Sequence, residues 1–184
     1  MYFITSNKGK YEEVKEFLKD DVEVLMLRKR YLEIQSEDLE EIALESMKYL
    51  SKELKLPMMI EDSGLFIDCL NGFPGPYSSY IFEKIGNKGI LKLMSGEENR
   101  RAKFVSVIAY WEPEIEVKIF KGQTQGTISE EERGEKGFGF DPIFIPSGQN
   151  KTFGEMDREE KNRFSHRGKA LEQFKRWLNG KNAR

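Results

Sequence analysis

Asp62 stands second in the tetrad Glu61-Asp62-Ser63-Gly64, directly after the apolar run Met58-Met59-Ile60. A carboxylate at a strand end can take a proton from water or bind a hard cation such as Mg²⁺. Adjacent strand residues face opposite sides, so only one of Glu61 and Asp62 is expected to point into a given pocket. The same tetrad also reads as an Asp capping a sharp turn with its own backbone. Glu33, in Leu32-Glu33-Ile34-Gln35, is a lone acid in a locally apolar segment. It gains meaning only as a partner for Asp62.

The first ten residues offer the complementary charge. An apolar run stops at Thr5-Ser6-Asn7-Lys8-Gly9-Lys10. Tyr11, Val14, Phe17 and Leu18 then recur at helical spacing, with Glu12, Glu13, Lys15 and Glu16 facing out. Strand, tight turn and helix aim backbone N–H groups and a lysine at one spot, which suits phosphate. The turn is not a P-loop, because Ile4 and Tyr11 occupy positions where that motif needs glycine and Ser or Thr.

Two further stretches could read a flat ligand. In Gly137-Phe138-Gly139-Phe140-Asp141-Pro142, glycines around Phe138 let backbone and ring approach a base closely. The alternative is a pair of core phenylalanines. Lys161, Ser165, His166 and Arg167 cluster where the last helix begins, with Ser165 as the expected N-cap. His166 and Arg167 can donate hydrogen bonds, and Lys161 can neutralise phosphate. A basic helix start on the surface would look the same.

What is missing narrows the chemistry. With His166 and Cys69 the only residues of their types, there is no zinc cage and no Cys–His nucleophile pair. No Gly-x-Ser-x-Gly elbow is present. Any metal would be held by oxygen, as Mg²⁺ or Mn²⁺ is.

The elements that must position these groups follow from periodicity and breakers. Val22 to Leu27 reads as a short strand. Leu39, Ile42, Ala43, Met47, Leu50 and Leu54 share one helical face, and Pro57 ends that helix. Leu65 to Leu70 is either the continuation of the Met58 strand or its hairpin partner. A helical region from about Tyr80 to Met94 is broken at Gly86 and Gly89. Lys103 to Trp111 and Ile115 to Phe120 form a hairpin around Glu112-Pro113-Glu114, and Pro142 to Ile145 is another strand. Ala170, Leu171, Phe174, Trp177 and Leu178 give the last helix its apolar face. Helices flanking a central block of strands predict one α/β domain over 1–184, built on a mixed sheet.

At 184 residues, with 38% hydrophobic and 34% charged residues, the chain can bury one core. A single cysteine fits a reducing, cytoplasmic setting. No apolar run approaches membrane-spanning length. The formal net charge of −2 argues against a stable nucleic-acid partner. Arg28-Lys29-Arg30 and Arg100-Arg101 read as solvated surface charge.

Taken together, the motifs resemble the inosine triphosphate pyrophosphatase family, nearly end to end and in order. They are Thr5 to Lys10, Glu33-Ile34-Gln35, Glu61 to Leu65, Gly72-Phe73-Pro74-Gly75-Pro76-Tyr77-Ser78, Gly137 to Pro142, and Lys161-Asn162 with Ser165-His166-Arg167. The resemblance implies a long mixed sheet flanked by helices, with two lobes around a central substrate cleft, and a homodimer. It implies Mg²⁺-dependent hydrolysis of non-standard purine triphosphates (ITP, dITP, XTP) to the monophosphate and pyrophosphate. By position, Asp62 would be the proton acceptor and a metal neighbour, and Glu33 a metal ligand, with Glu61 a further candidate ligand. Thr5, Ser6, Asn7, Lys8, Gly9, Lys10 and Lys161 would hold the triphosphate, with Ser63 beside it. Phe138, Gly139, Phe140, Asp141, His166 and Arg167 would hold the base. In one respect the chain departs from the pattern. Where family members often carry a lysine on the helix after Glu33, this sequence has Ser46, with Lys48 close by. The competing readings are a pyrophosphatase for other nucleotides and a nucleotide- or RNA-binding module without catalysis.

Overall fold

A computed structural model describes residues 1–182. Its strands are β1 (Tyr2–Ile4), β2 (Leu25–Leu27), β3 (Met58–Ile67), β4 (Pro74–Gly75), β5 (Arg101–Trp111), β6 (Lys118–Ile128) and β7 (Phe144–Pro146). Its helices are α1 (Lys8–Leu18), α2 (Leu39–Glu53), α3 (Ser78–Leu93), α4 (Arg158–Phe164) and α5 (His166–Asn182). The strands form one sheet in the order β2-β1-β3-β5-β6-β7, with β4 beside β3. Pairing is parallel across β2, β1 and β3 and antiparallel from β3 to β7, so the sheet is mixed, as expected.

Of the two readings for the segment after the tetrad, the continuation of the Met58 strand holds, and no sharp turn forms at Ser63-Gly64. β3 runs unbroken from Met58 to Ile67, held along its whole length by β5. The apolar alternation resumes at Leu65 and Ile67, and an extended partner can carry the polar interval between them. The first short strand is only Leu25–Leu27, because Val22 and Val24 belong to the approach from α1. β6 starts later and runs further than expected, to Ile128. Its outer face alternates polar residues (Lys121, Gln123, Gln125) with inward Thr124 and small Gly122 and Gly126, which hides the strand in the sequence. The single break in α3 is Gly86, with φ of 60°; Gly89 stays helical. Pro142 lies in a short 3-10 turn rather than a strand.

Two lobes arise because the long strands β3, β5 and β6 change partners midway. Near one end, Phe3, Met59, Ile108, Tyr110 and Phe120 pack under α1 and α5. The opposite face there, with Ile60, Val107 and Ala109, packs on α2. At the other end Leu65, Ile67, Ala102, Phe104 and Ile128 pack against α3 and the segment from Phe140 to Met156. The changeover falls at Asp62-Ser63-Gly64. β1 pairs with β3 only at Met58 and Met59, and β4 joins it only at Leu65 and Phe66. Between them, residues 60–64 have no strand on that side, and this gap opens the cleft.

Candidate active site

Asp62 lies on the unpaired edge of β3, where two cavities meet. One, of about 910 Å³, runs toward the loop between β2 and α2 and is lined by Thr5, Ser6, Asn7, Lys10, Glu33 and Glu61. The other, of about 360 Å³, runs toward the second lobe and is lined by Ser63, Phe138 to Asp141, Lys161, His166 and Arg167. Asn7, Lys10 and Asp62 belong to both. A larger open groove between α1, α4 and α5 carries self-paired charges such as Arg163–Glu159 and lies away from Asp62.

Burial raises the Asp62 carboxyl to about 6. Lys10 and the Ser63 N–H oppose that rise, while Glu61 and Glu33 add to it. A carboxyl poised there can accept a proton near neutrality. Glu33 is exposed. Burial, then the charges of Glu33, Asp62 and Glu61, push the Tyr31 phenol upward. Among the described residues, no three His, Cys, Asp or Glu side chains converge tightly enough to hold a metal unaided. Glu33 and Asp62 with substrate oxygens do fit Mg²⁺, which typically takes one or two carboxylates plus phosphates.

Glu61 points to the other face of β3. Its carboxylate lies 2.9 Å from Lys10 Nζ and 3.1 Å from Arg167 Nε, and accepts a 2.5 Å hydrogen bond from Ser106. Burial opposes its ionisation, but Arg167 and Lys10 outweigh it and hold the carboxyl well below the usual range. Arg167 also donates to Glu13 and, at 3.2 Å, to Ser63 Oγ. Lys161 donates at 2.6 Å to both Glu13 and Asp141. A buried chain of alternating charge thus runs Lys10–Glu61–Arg167–Glu13–Lys161–Asp141.

The turn after β1 divides. Thr5, Ser6, Asn7 and Lys10 face the polar cavity, whereas Lys8 and Gly9 border a separate depression with Phe138 and Lys136. Its amides are less free than the sequence implies: Asn7 N–H donates to Thr5 Oγ1 and Lys10 N–H to Asn7 Oδ1. Gly9 matters by its lack of a side chain. A Cβ there would sit 2.5 Å from the Phe138 ring. Lys161, expected at the triphosphate, sits instead in the smaller pocket, 4.8 Å from the Phe138 centroid. Arg167 lies 5.4 Å from the same ring. Phe138 is half-buried, while Phe140 is a core residue, edge-on to Phe82. His166 stacks on Phe104 at 4.6 Å, and its Nδ1 is buried without a partner. Burial and the Arg167 charge hold its imidazole well below the ordinary value, so it is neutral. Ser165 caps α5, accepting from Gly168 N–H at 2.9 Å.

A model of the Ham1 family matches residues 1–177. The chain belongs to the Ham1 family. It is 54% identical over 176 residues to a protein of Methanopyrus kandleri named dITP/XTP pyrophosphatase, covering 95% of this chain and 94% of that one. A Thermococcus kodakarensis protein of the same name is 52% identical over 177 residues, covering 96% and 95%. The solved structure of the Staphylococcus aureus Ham1 protein superposes with a TM-score of 0.84 at 30% identity, over 98% of each chain.

Within this Ham1 chain, sequence reasoning missed several residues at the cleft. Glu13 was expected on the outside; it is buried at the centre of the charge chain. The signal was there, since Lys10, Glu13, Val14 and Phe17 fall on one helical stripe. Arg28, Lys29 and Arg30, expected as solvated surface charge, line the polar cavity. Phe104 gave no local sign, being one apolar residue in an apolar strand.

Proposed function

We propose that this chain hydrolyses non-standard purine nucleoside triphosphates (ITP, dITP and XTP) to the monophosphate and pyrophosphate. The observation that carries the reading is Asp62, raised to about 6 at the junction of a cation-lined cavity and an aromatic pocket. The triphosphate lies toward Thr5, Ser6, Asn7 and Lys10, and the base toward Phe138, His166 and Arg167. Asp62 accepts the proton of the water that attacks the α-phosphorus. Lys10 faces the charge that grows on the leaving pyrophosphate. Glu33 and Asp62 would hold Mg²⁺, or Mn²⁺ in its place, which when bound neutralises phosphate charge. Glu61 is assigned to the ion-pair chain, since Lys10, Arg167 and Ser106 already engage its carboxylate. Arg167 offers donors to the 6-oxygen of hypoxanthine or xanthine; the 6-amino group of adenine would leave them unpaired.

A triphosphate panel with product analysis tests this. ITP, dITP and XTP are expected to give monophosphate and pyrophosphate far faster than ATP, with activity lost in EDTA and restored by Mg²⁺. Orthophosphate and a nucleoside diphosphate as products would refute the regiochemistry, and full activity in chelator would refute the Glu33–Asp62 metal assignment.

We also infer a homodimer in the cytoplasm. Tyr80, Ile85 and Leu93 stand exposed along α3, apolar surface that a second copy would cover. No described helix is long and apolar enough to cross a membrane. Light scattering at a monomer's mass would overturn the dimer.

A further inference from the structure

We propose that Arg28 and Arg30 grip the distal phosphates of the substrate and set a preference for triphosphates over diphosphates. The inference rests on the pyrophosphatase reading and deepens it.

Position comes first. β2 pairs in parallel with β1, and Thr5 N–H donates to Leu27 O at 3.2 Å. The chain that leaves β2 at Arg28 therefore starts beside the turn that leaves β1 at Thr5. Both border the same cavity as Asp62 and Glu33.

Charge comes second. The cations of that cavity are Lys10, Arg28, Lys29 and Arg30. Lys10 is held 2.9 Å from Glu61, and Lys29 is held 2.7 Å from Glu53 on α2. Among the described residues no ion pair holds Arg28 or Arg30, and both are exposed. They are the cations of this cavity with no protein anion to neutralise. The acids there that no ion pair neutralises, Glu33 and Asp62, would repel a polyphosphate without such a counterweight.

The third observation is how α2 meets the loop. Ser46 is buried and donates to Leu32 O at 3.2 Å. Lys48 is paired with Glu45 at 2.7 Å on the exposed side. Neither lines the cavity. The Ser46 bond instead ties the 28–36 loop to α2, so the helix supports the loop that carries the arginines. A guanidinium fork matches phosphate oxygens in pairs, which a lysine cannot do. A nucleoside diphosphate lacks the outermost phosphate and would forfeit part of this grip.

Inorganic tripolyphosphate, titrated by calorimetry with and without Mg²⁺, tests the grip without turnover. The double variant Arg28→Ala/Arg30→Ala is expected to lose about tenfold or more in tripolyphosphate affinity, with a matching loss in kcat/KM for ITP. Its ITP-to-ATP ratio should be unchanged, its ITP-to-IDP preference reduced, and its melting temperature that of the wild type. Arg28→Lys/Arg30→Lys should recover part of the affinity, and Lys48→Ala should match the wild type. Tripolyphosphate binding by the double alanine variant within about twofold of wild type would overturn the proposal. A wild type that binds tripolyphosphate through these arginines yet hydrolyses no triphosphate would overturn the pyrophosphatase reading and leave the grip standing.

Discussion

At the scale of single residues, the cleft separates roles that look alike in the sequence. Glu61 and Asp62 are adjacent acids, yet alternation along β3 sends them to opposite faces. Glu61 meets Arg167 and Lys10 and stays ionised; Asp62 meets burial and other acids and is raised to about 6. Asp62→Asn should fold normally and lose at least ~100-fold in kcat, the lower range for a missing general base. Near-normal turnover would move the base elsewhere. Arg167 needs a gentler probe. Its removal would strand Glu13 and Glu61 in the interior, where breaking such a pair costs about 3–5 kcal/mol. Arg167→Lys keeps the charge and loses the fork, so it should narrow the ITP-to-ATP ratio of kcat/KM by slowing ITP. Lys10→Ala should slow both substrates alike. The opposite pattern would mean that phosphate and base ends are wrongly assigned.

At the scale of elements, α1 shows how one helix serves both ends of the cleft. Asn7 caps it, Lys10 reaches Glu61, Glu13 holds Arg167 and Lys161, and Gly9 gives Phe138 room. Gly9→Ala sets two effects against each other. Alanine is the better helix former by about 1 kcal/mol, but its Cβ would displace the Phe138 ring. The expected outcome is a melting temperature at or above wild type with a raised KM for ITP; an unchanged KM would remove Phe138 from substrate binding. Much of this architecture was legible in the sequence. The periodicity of α1, α2 and α5, the β5–β6 hairpin and the mixed sheet follow from local patterns. The cavity-lining halves of Thr5 to Lys10 and Gly137 to Asp141 follow from their turns and glycines. The sequence leaves open whether β3 continues through Ser63-Gly64 or turns back there, because the answer depends on β5 lying alongside. The burial of Lys161 was not legible, because it takes two acids from distant segments to neutralise it. Long-range pairing leaves no mark within a window of a few residues.

For the whole molecule, the charge chain ties α1, β3, α5 and the Phe138 loop into one unit, and its stability should respond to acid in separable windows. His166 is held below its ordinary value in the fold, so the unfolded chain binds its proton first as pH falls. Its contribution is present above about 6.5 and is lost below it. Glu13 and Glu61 are lowered, so theirs is present above the usual carboxylate range and lost only at more acidic pH. Asp62, raised, acts with the opposite sign. His166→Phe keeps the stack on Phe104, and the difference between its melting curve and the wild type's across pH 5–7 isolates the histidine term. The wild type should lose ground to the variant as pH falls through that window; parallel curves would show that folding leaves the proton affinity of His166 unchanged.

The gap beside β3 has one more consequence. A bare strand edge is a template for another polypeptide, and natural sheets guard against it. Here the bare stretch is only residues 60–64, closed by β1 at one end and β4 at the other. β4 sits so close that a Cβ on Gly64 would lie 2.3 Å from Gly75 O, and Lys10 Nζ donates to Glu61 O on the bare stretch itself. A nucleotide can enter such a notch from the side, whereas an incoming strand would collide with both closures and meet the half-buried Lys10 ammonium. An opening of five residues, charged at its rim, is therefore too short to template a second strand.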